Sequence, residues 1–229
     1  MKLINFSMDS DIEMVVDALC KGAIIVDLNN VFAVVALPNK KGVDFLNHVK
    51  NRKPSKCYGS LISDANLFVN SSILDSDTKF RLINCLEQGI LDNSFVRIPW
   101  NDSVNSQLIM NGTHQGLKTT EPILSFCHLI EKRLIQNGDD FMIKSLICSS
   151  ANISGDPRGS ITDRSEAIQF GRDRGVDLFV EFDFPSTEVE SGSFPIFSFQ
   201  NMTFSIERKG PGYREIERLL SQSGFSKNI

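Results

Sequence analysis

The sequence has few histidines and cysteines, the residues from which proteins build zinc sites. Its three histidines, His48, His114 and His128, are isolated, and neither a C-x-x-C pair nor an H-E-x-x-H pattern occurs. Zinc sites draw on cysteines and histidines at such close spacing, so the sequence excludes a zinc-finger or zinc-protease arrangement. We therefore expect no metal cluster made of side chains, and we expect His114, in a polar stretch, to lie in solvent.

A long uncharged apolar run is also missing, which argues against a transmembrane helix. The first six residues lack the apolar region and the small-residue cleavage site of a secretory signal. The cysteines are odd in number, widely spaced and mostly in apolar patterns, as is typical of reduced, core-filling thiols in the cytosol. They are Cys20, Cys57, Cys85, Cys127 and Cys148. We therefore expect a cytoplasmic protein.

Neither sign of charge is in large excess, since 24 Lys and Arg stand against 28 Asp and Glu, a net charge of −4. This balance argues against bulk, non-specific nucleic-acid binding but permits a local basic patch. The 229 residues are 41% hydrophobic and 23% charged, which is ordinary for a globular protein. Because no repeat, low-complexity tract or linker divides the chain, we predict one α/β domain with a mixed sheet over residues 1–229.

Apolar residues at helical spacing predict six helices. Their ranges are about 10–21, 40–50, 77–87, 121–137, 163–172 and 212–220. The first begins with the spacing of a capping box, Ser10 to Glu13, and Gly22 is suited to close it. Asp163 is the expected cap of the fifth helix.

Runs rich in β-branched and aromatic residues predict the strands. Their ranges are about 23–26, 31–37, 61–63, 68–69, 95–99, 141–148, 176–182, 194–199 and 202–208. The first two are nearly all apolar, which indicates burial on both faces. Gln200-Asn201 between the last two indicates a hairpin. Residues 101–120 are polar and irregular, and their length makes them a candidate lid or substrate loop.

A polar loop follows the predicted strand 141–148 and reads S-A-N-I-S-G at residues 150–155. Ligands of open α/β sheets bind beyond the carboxyl ends of strands. The hydroxyl of Ser150 and the amide of Asn152 are groups that donate to phosphate oxygens. The alternative is a turn that only caps the next element.

Three cationic side chains end the helix 40–50, namely Lys50, Arg52 and Lys53, and Pro54 prevents its continuation. Lys50 and Arg52 either converge on an anion or complement the helix dipole and stay solvated. Arg97 precedes Ile98-Pro99 in a predicted strand, where it faces inward or towards a ligand.

The K-x-R motif at Lys50, the R-x-P motif at Arg97 and the S-A-N-x-S-G loop occur in an order that resembles the YrdC-like family of threonylcarbamoyl-AMP synthases. Residues 22–26 and the closing run 204–210, which ends in Arg, Lys and Gly, also resemble that family. The resemblance covers nearly the whole chain. The S-A-N-x-S-G match is specific, whereas K-x-R is informative only through its position.

The resemblance implies a twisted mixed sheet flanked by helices, with a basic concave cavity. It also implies a reaction in which L-threonine and bicarbonate form a carbamate that attacks the α-phosphate of ATP and releases pyrophosphate. Mg²⁺ is expected, held largely by the phosphates. The product donates its threonylcarbamoyl group to an adenosine of certain tRNAs through partner proteins.

The resemblance further assigns roles to individual side chains. The catalytic pair is Lys50 and Arg52, which hold the triphosphate and the carboxylated amine. The residues expected to bind the nucleotide are Lys50, Arg52, Ser150, Asn152 and Arg208. The residues expected to bind the amino acid are Asn30, Arg97 and Ser193.

The chain departs from the family at residues 27–34, where the family's first hairpin reads P-T-D-T-V-Y-G-L and this sequence reads D-L-N-N-V-F-A-V. The replaced hydroxyls help to shape the amino-acid site. A P-G-P-L-T segment before Arg97 is not recognisable, and a late Ser-Thr pair is reduced to Ser193-Phe194. Three functions therefore stay open: threonylcarbamoyl-AMP synthesis, the same chemistry on another amine or amino acid, and a non-catalytic nucleotide- or RNA-binding module.

Overall fold

The computed structural model describes residues 1–7, 10–29, 31–52, 56–100, 107–135, 143–185 and 192–228. Within these ranges the chain forms two compact units. The first unit contains Met1–Lys56 and Glu121–Ser193, and the second contains Cys57–Thr120 and Phe194–Ile229. Each unit is thus built from two separate stretches of chain. The prediction of one domain over residues 1–229 stays a prediction.

The described residues form eleven strands and seven helices. The strands are β1 Lys2–Asn5, β2 Ala23–Asp27, β3 Phe32–Ala36, β4 Gly59–Ile62, β5 Ser94–Pro99, β6 Thr113–Lys118, β7 Ile147–Ser150, β8 Leu178–Glu181, β9 Ile196–Gln200, β10 Thr203–Arg208 and β11 Ser226–Lys227. The helices are α1 Ile12–Lys21, α2 Lys40–Lys50, α3 Ala65–Asn70, α4 Ser76–Glu87, α5 Ile123–Ile135, α6 Arg164–Asp173 and α7 Tyr213–Gln222. None of these helices is long and apolar enough to cross a membrane.

The first unit contains a mixed sheet in the order β1-β8-β2-β3-β7. Its strands β1, β8 and β2 run parallel, and β2, β3 and β7 pair antiparallel. Every residue of β3 is buried, and so are Ala23 to Val26 of β2, which confirms the expectation of burial on both faces. Helix α2 buries one stripe, Val43, Leu46 and Val49, and ends beside β7 at Lys50.

The second unit contains a mixed sheet in the order β4-β6-β5-β9-β10-β11. Burial alternates along β5, where Val96 and Ile98 are buried and Phe95 and Arg97 are half-buried. The same alternation continues on β9, where Phe197 is buried and Ser198 is half-buried. One face of this sheet is therefore apolar core, and the other carries polar side chains.

Side-chain caps explain where several helices begin. Asn39, Asp64, Asp75 and Asp163 each accept a hydrogen bond from the backbone N–H three residues later. All six predicted helices are present in the described residues, and Asp163 is the cap that the sequence predicts. The capping box at Ser10 is wrong, since the N-cap is Asp11 and its side chain makes no cap bond.

Two other local predictions are also wrong. Residues 68–69 are not a strand but part of the helix α3, because Asp64 caps Leu67 and starts a helical turn. The irregular stretch 101–120 contains the strand β6, which pairs with both β4 and β5. Residues 101–106 of that stretch lie outside the described residues, as does the start of the predicted strand 141–148.

Candidate functional site

Lys50, the last residue of α2, is a buried cation held by the S-A-N-x-S-G loop. Its side chain is 1% exposed. Its Nζ donates to the carbonyl oxygen of Ser150, to the carbonyl oxygen of Asn152 at 2.8 Å and to Asn152 Oδ1 at 3.0 Å. An ammonium group has three N–H donors, so these three acceptors satisfy it completely. The K-x-R and S-A-N-x-S-G motifs, about 100 residues apart in sequence, therefore meet in the fold.

Burial works against the charge of this lysine. Desolvation, and then the nearby cations Arg52 and Lys56, lower the pKa of Lys50 to about 7. The three oxygen acceptors favour the charged form. Lys50 therefore titrates close to neutral pH, which is unusual for a lysine and common at functional sites.

Further hydrogen bonds fix the loop itself. Ser150 Oγ donates to Asn152 Oδ1 at 2.6 Å, and Asn152 Nδ2 donates to the carbonyl oxygen of Gly159 at 2.6 Å. The backbone N–H of Ser154 donates to the carbonyl oxygen of Lys50 at 2.9 Å. The two predicted nucleotide-binding residues of this loop are thus held in one network with Lys50.

Ser154 is a site residue that the sequence reasoning did not single out. The residue is 9% exposed, and its Oγ is a buried polar atom for which the described residues supply no hydrogen-bond partner. A buried hydroxyl without a partner costs free energy that a ligand or a water molecule recovers. Its position as the second serine of S-A-N-x-S-G was the signal that could have found it.

Arg52 lies beside the same loop. Its Nε donates to the carbonyl oxygen of Lys56 at 3.2 Å, and its NH1 donates to Ser149 Oγ at 3.4 Å. Ser193 joins the first unit's polar groups through a 2.8 Å hydrogen bond between its Oγ and that of Ser160. Asn30 and Lys53 lie outside the described residues.

Two residues that replace hydroxyl-bearing residues of the family's first hairpin are buried in the structure. They are Leu28 and Phe32, and the ring of Phe32 lies 5.5 Å from that of Phe179. Asp27 Oδ1 accepts from the backbone N–H of Asn29, and burial raises the pKa of Asp27. In the described part of the hairpin, packed side chains stand where the family has hydroxyl groups.

In the second unit, Arg97 of β5 is held from two sides. Its NH1 forms an ion pair with Glu207 of β10, and its NH2 donates to Gln115 Oε1 of β6 at 2.6 Å. The Arg97 side chain is 15% exposed. Arg97 therefore faces a carboxylate of the protein itself, and its assignment to the amino acid stays a prediction.

Arg208 of β10 lies on the same sheet face. Its Nε donates to the carbonyl oxygen of Phe194 at 2.8 Å, and its guanidinium lies 5.8 Å from the ring centre of Phe95. Burial, and then the charge of Arg97, lower the pKa of Arg208. The two arginines are thus close enough to repel each other, and together they attract anions.

His114 is not a solvated loop residue. It lies on β6, is 1% exposed, and packs against Trp100. Its Nδ1 hydrogen-bonds the carbonyl oxygen of Leu108 at 2.7 Å, and its Nε2 is 2.9 Å from Ser60 Oγ. The expectation that His114 lies in solvent is wrong, because the polar residues 113–118 form a strand.

The second unit also has a cavity of about 440 Å³ against α4, lined by residues that include Phe80, Arg81 and Asn84. None of the predicted site residues lines it, and the predicted basic cavity stays a prediction. Among the described residues, no group of three or more His, Cys, Asp or Glu side chains could hold a metal ion. All five cysteines are thiols, and Cys85, Cys127 and Cys148 are buried.

No family model and no curated protein sequence matches this chain. Solved structures do match it. A hypothetical protein of Streptococcus mutans UA159, smu.1377c, has a TM-score of 0.68 at 18% identity, over 100% of this chain and 97% of its own. E. coli YciO has a TM-score of 0.64 at 15% identity, over 93% and 96%.

The P. abyssi protein Sua5, solved in complex with L-threonine, has a TM-score of 0.69 at 14% identity, over 100% of this chain and 63% of its own. At these identities the likeness defines the fold alone. The chain therefore has the mixed α/β fold of the YrdC/Sua5-like structures, as predicted.

Proposed function

We propose that this chain is a divergent YrdC-like nucleotidyltransferase that makes a carbamoyl-adenylate from ATP, bicarbonate and an amine. L-threonine is the first candidate amine, and the product is then L-threonylcarbamoyl-AMP for tRNA modification. The amine and bicarbonate combine with loss of water to give a carbamate. A carbamate oxygen attacks the α-phosphorus of ATP, and pyrophosphate leaves.

One observation carries the proposal, namely the hydrogen bonds from Lys50 Nζ to Ser150 and Asn152. They join the two motifs that resemble the family's nucleotide-binding motifs. This chemistry needs positioning and stabilisation of phosphate charge rather than a protein nucleophile. Lysine, arginine and serine side chains are suited to that task.

The roles of the cations follow from their surroundings. Lys50 uses all its donors inside the protein, so we assign it first to holding the loop. When ATP binds, one of these hydrogen bonds is replaced by a hydrogen bond to a phosphate oxygen. Arg52, beside the loop, contributes a second cation to the triphosphate. Arg208 binds the leaving phosphates, and Arg97 binds the carboxylate of the amino acid.

A different amine is favoured by one specific observation. Leu28 and Phe32 are buried apolar residues at two hairpin positions where the family has hydroxyl groups that help to shape the amino-acid site. This packing supports an amine smaller or less polar than L-threonine. A module that binds nucleotide or RNA without catalysis is the third alternative, and it would keep the Lys50 network without turnover.

Mg²⁺ is proposed to enter with ATP, on the phosphates, because the described residues offer no cluster of ligands for it. ATP, bicarbonate and the amine are the proposed substrates, and tRNA-modifying proteins are the proposed partners. A cytoplasmic location belongs to the same proposal.

The test measures pyrophosphate release with ATP, Mg²⁺, bicarbonate and each amino acid in turn, beginning with L-threonine. We expect release with at least one amine, dependence on bicarbonate, and a loss of at least about 100-fold in Lys50→Met, consistent with removing a positioning group of the site.

Lys41→Met is the matched control because Lys41 lies on the same helix and donates to the exposed residue Cys20. It should retain wild-type activity. Release with an amine other than L-threonine would select the second alternative. Nucleotide binding without release under any condition would select the non-catalytic module.

A further inference from the structure

The strand β10 contains an irregularity next to the two arginines of the second unit. Its register with β9 shifts between Ile206 and Arg208, so Glu207 is the additional residue of a β-bulge. A bulge re-aims side chains and is common beside functional sites. Glu207 and Arg208 are neighbours in sequence, and an unbroken strand would point them to opposite faces.

The register places both side chains on one face. Arg97 pairs with Ser198 and Phe95 with Ile196 across β5 and β9, and Ile196 pairs with Arg208 across β9 and β10. Arg208 contacts the ring of Phe95, and Glu207 contacts Arg97. The bulge thus brings the guanidinium group of Arg208 onto the face where Glu207 already contacts Arg97.

We propose that Glu207 is an internal competitor for the anion site of Arg97, so that its carboxylate occupies the guanidinium until an oxyanion of the ligand replaces it. The ligand group is a carboxylate or a phosphate, which present similar oxygen pairs to an arginine fork. This inference rests on the proposed function in one respect, because it takes the ligand to be the phosphates or the amino acid of that reaction.

Three features of the contact support replacement rather than a fixed structural pair. Glu207 is one-third exposed, so its carboxylate can leave for water at little cost. Arg97 keeps a second hydrogen bond, to Gln115, that holds its orientation when Glu207 departs. Arg208 lies on the same face, against the ring of Phe95, so a second cation is available to the same anion.

The experiment measures the dissociation constant of inorganic pyrophosphate, and separately of L-threonine, by calorimetry on the full chain at fixed ionic strength. We expect Glu207→Gln to bind one of these tighter, on the order of tenfold, because removing a competitor raises the fraction of binding-competent protein. Tighter pyrophosphate identifies phosphate as the group, and tighter L-threonine identifies carboxylate. In Arg97→Gln combined with Glu207→Gln the gain should disappear.

Glu217→Gln is the matched control, since it removes another glutamate–cation pair of the same unit, with Lys227 at 2.7 Å, and should leave both constants unchanged. Glu207→Ala repeats the test with a shorter side chain, and a thermal melt checks that each variant is folded. Unchanged or weaker binding of both ligands in both Glu207 variants would overturn the inference. Because these constants need no turnover, a tighter Glu207→Gln without pyrophosphate release would refute the proposed reaction alone.

Discussion

Lys50 is a charged side chain that the protein keeps almost wholly out of water, with no carboxylate among its hydrogen-bond partners. Its charge is balanced by carbonyl and amide oxygens, all from Ser150 and Asn152. Such an arrangement is costly unless every donor is satisfied. It makes the loop and the end of α2 depend on each other.

Lys50→Met should lower the free energy of unfolding at pH 7 by about 2–4 kcal/mol, because it leaves buried acceptors without donors. The deficit should grow with pH. The pKa of Lys50 is lowered to about 7 in the folded chain from 10.5, so the unfolded chain binds more protons between these values and wild-type stability rises across that window. The slope is about 1 kcal/mol per pH unit.

Urea denaturation at pH 7, 8 and 9 measures this difference, with Lys41→Met as the exposed control. A constant deficit at all three values would show that Lys50 stays charged throughout.

His114 should make the free energy of unfolding depend on pH below neutrality, whereas Lys50 does so above it. Its Nδ1 donates to a carbonyl oxygen, so Nε2 accepts from the Ser60 hydroxyl and the ring is neutral. Burial lowers the pKa of His114 to about 4 from 6.5. Between these two values the unfolded chain binds a proton at His114 that the folded chain does not bind. The free energy of unfolding therefore falls as pH drops from about 6.5 towards 4.

We expect this residue to account for a loss of about 3 kcal/mol over that range, from the size of the shift. His114→Gln should show a flatter stability profile in thermal or urea unfolding between pH 7.5 and 4.5. His48→Gln, at an exposed histidine, is the matched control variant. Equal slopes in wild type and His114→Gln would contradict the assignment.

At the scale of elements, a glycine lets the backbone of α2 approach the chain segment that precedes it closely. A Cβ atom on Gly42 would lie 2.1 Å from the backbone oxygen of Leu37. On Gly171 of α6 it would meet the ends of Ile25 and Met1, both flexible side chains, at 2.6 Å. Backbone cannot move aside as a side chain can.

Gly42→Ala should therefore cost more than about 3 kcal/mol of stability, despite the gain of about 1 kcal/mol that alanine brings to a helix. Gly171→Ala should cost less than about 1 kcal/mol, because the side-chain ends of Ile25 and Met1 can move aside. The two unfolding free energies, measured side by side, test whether close backbone contact positions α2 and hence Lys50. Equal costs would reject that explanation.

The elements that the sequence predicted well are those set by local chemistry. Helix α2 follows from its apolar stripe and the Asn39 cap, and the β9–β10 hairpin from Gln200-Asn201. Strand β6 was missed because its sequence, THQGLK, is polar and becomes a strand only by pairing with β4 and β5. Tertiary pairing overrode weak local preference there.

The candidate site likewise has parts that the sequence predicted and parts that it did not. The motifs at Lys50 and at Ser150 were recognised from residue types and order. Their direct contact, and the ion pair between Arg97 and Glu207, join residues 100 or more positions apart, and no local pattern indicates them. The bulge that brings Arg208 onto the same face likewise depends on the register between two strands.

At the scale of the molecule, each unit needs both of its stretches of chain. In the second unit, β5 pairs with β6 within residues 57–120, but it also pairs with β9 from the later stretch. A segment of residues 57–120 alone has an open strand edge and lacks the aromatic core of Phe197, Phe199 and Phe204.

We expect residues 57–120, produced alone, to lack a cooperative thermal transition in circular dichroism. Addition of residues 194–229 in trans should restore strand signal, and a peptide with Phe197→Ala and Phe199→Ala should not. A cooperative transition in 57–120 by itself would show that the later stretch is an addition rather than half of the core.

Because the second unit consists of two separate stretches of chain, its paired strands are synthesised at different times. Residues 57–120 leave the ribosome before residues 121–193, and β9, which pairs with β5, comes after that. At about 5–20 residues per second, the free edge of β5 waits roughly 5–20 s for its neighbour. For that interval the nascent chain presents an unpaired strand to the crowded cell, so its yield should depend on chaperones that bind nascent chains.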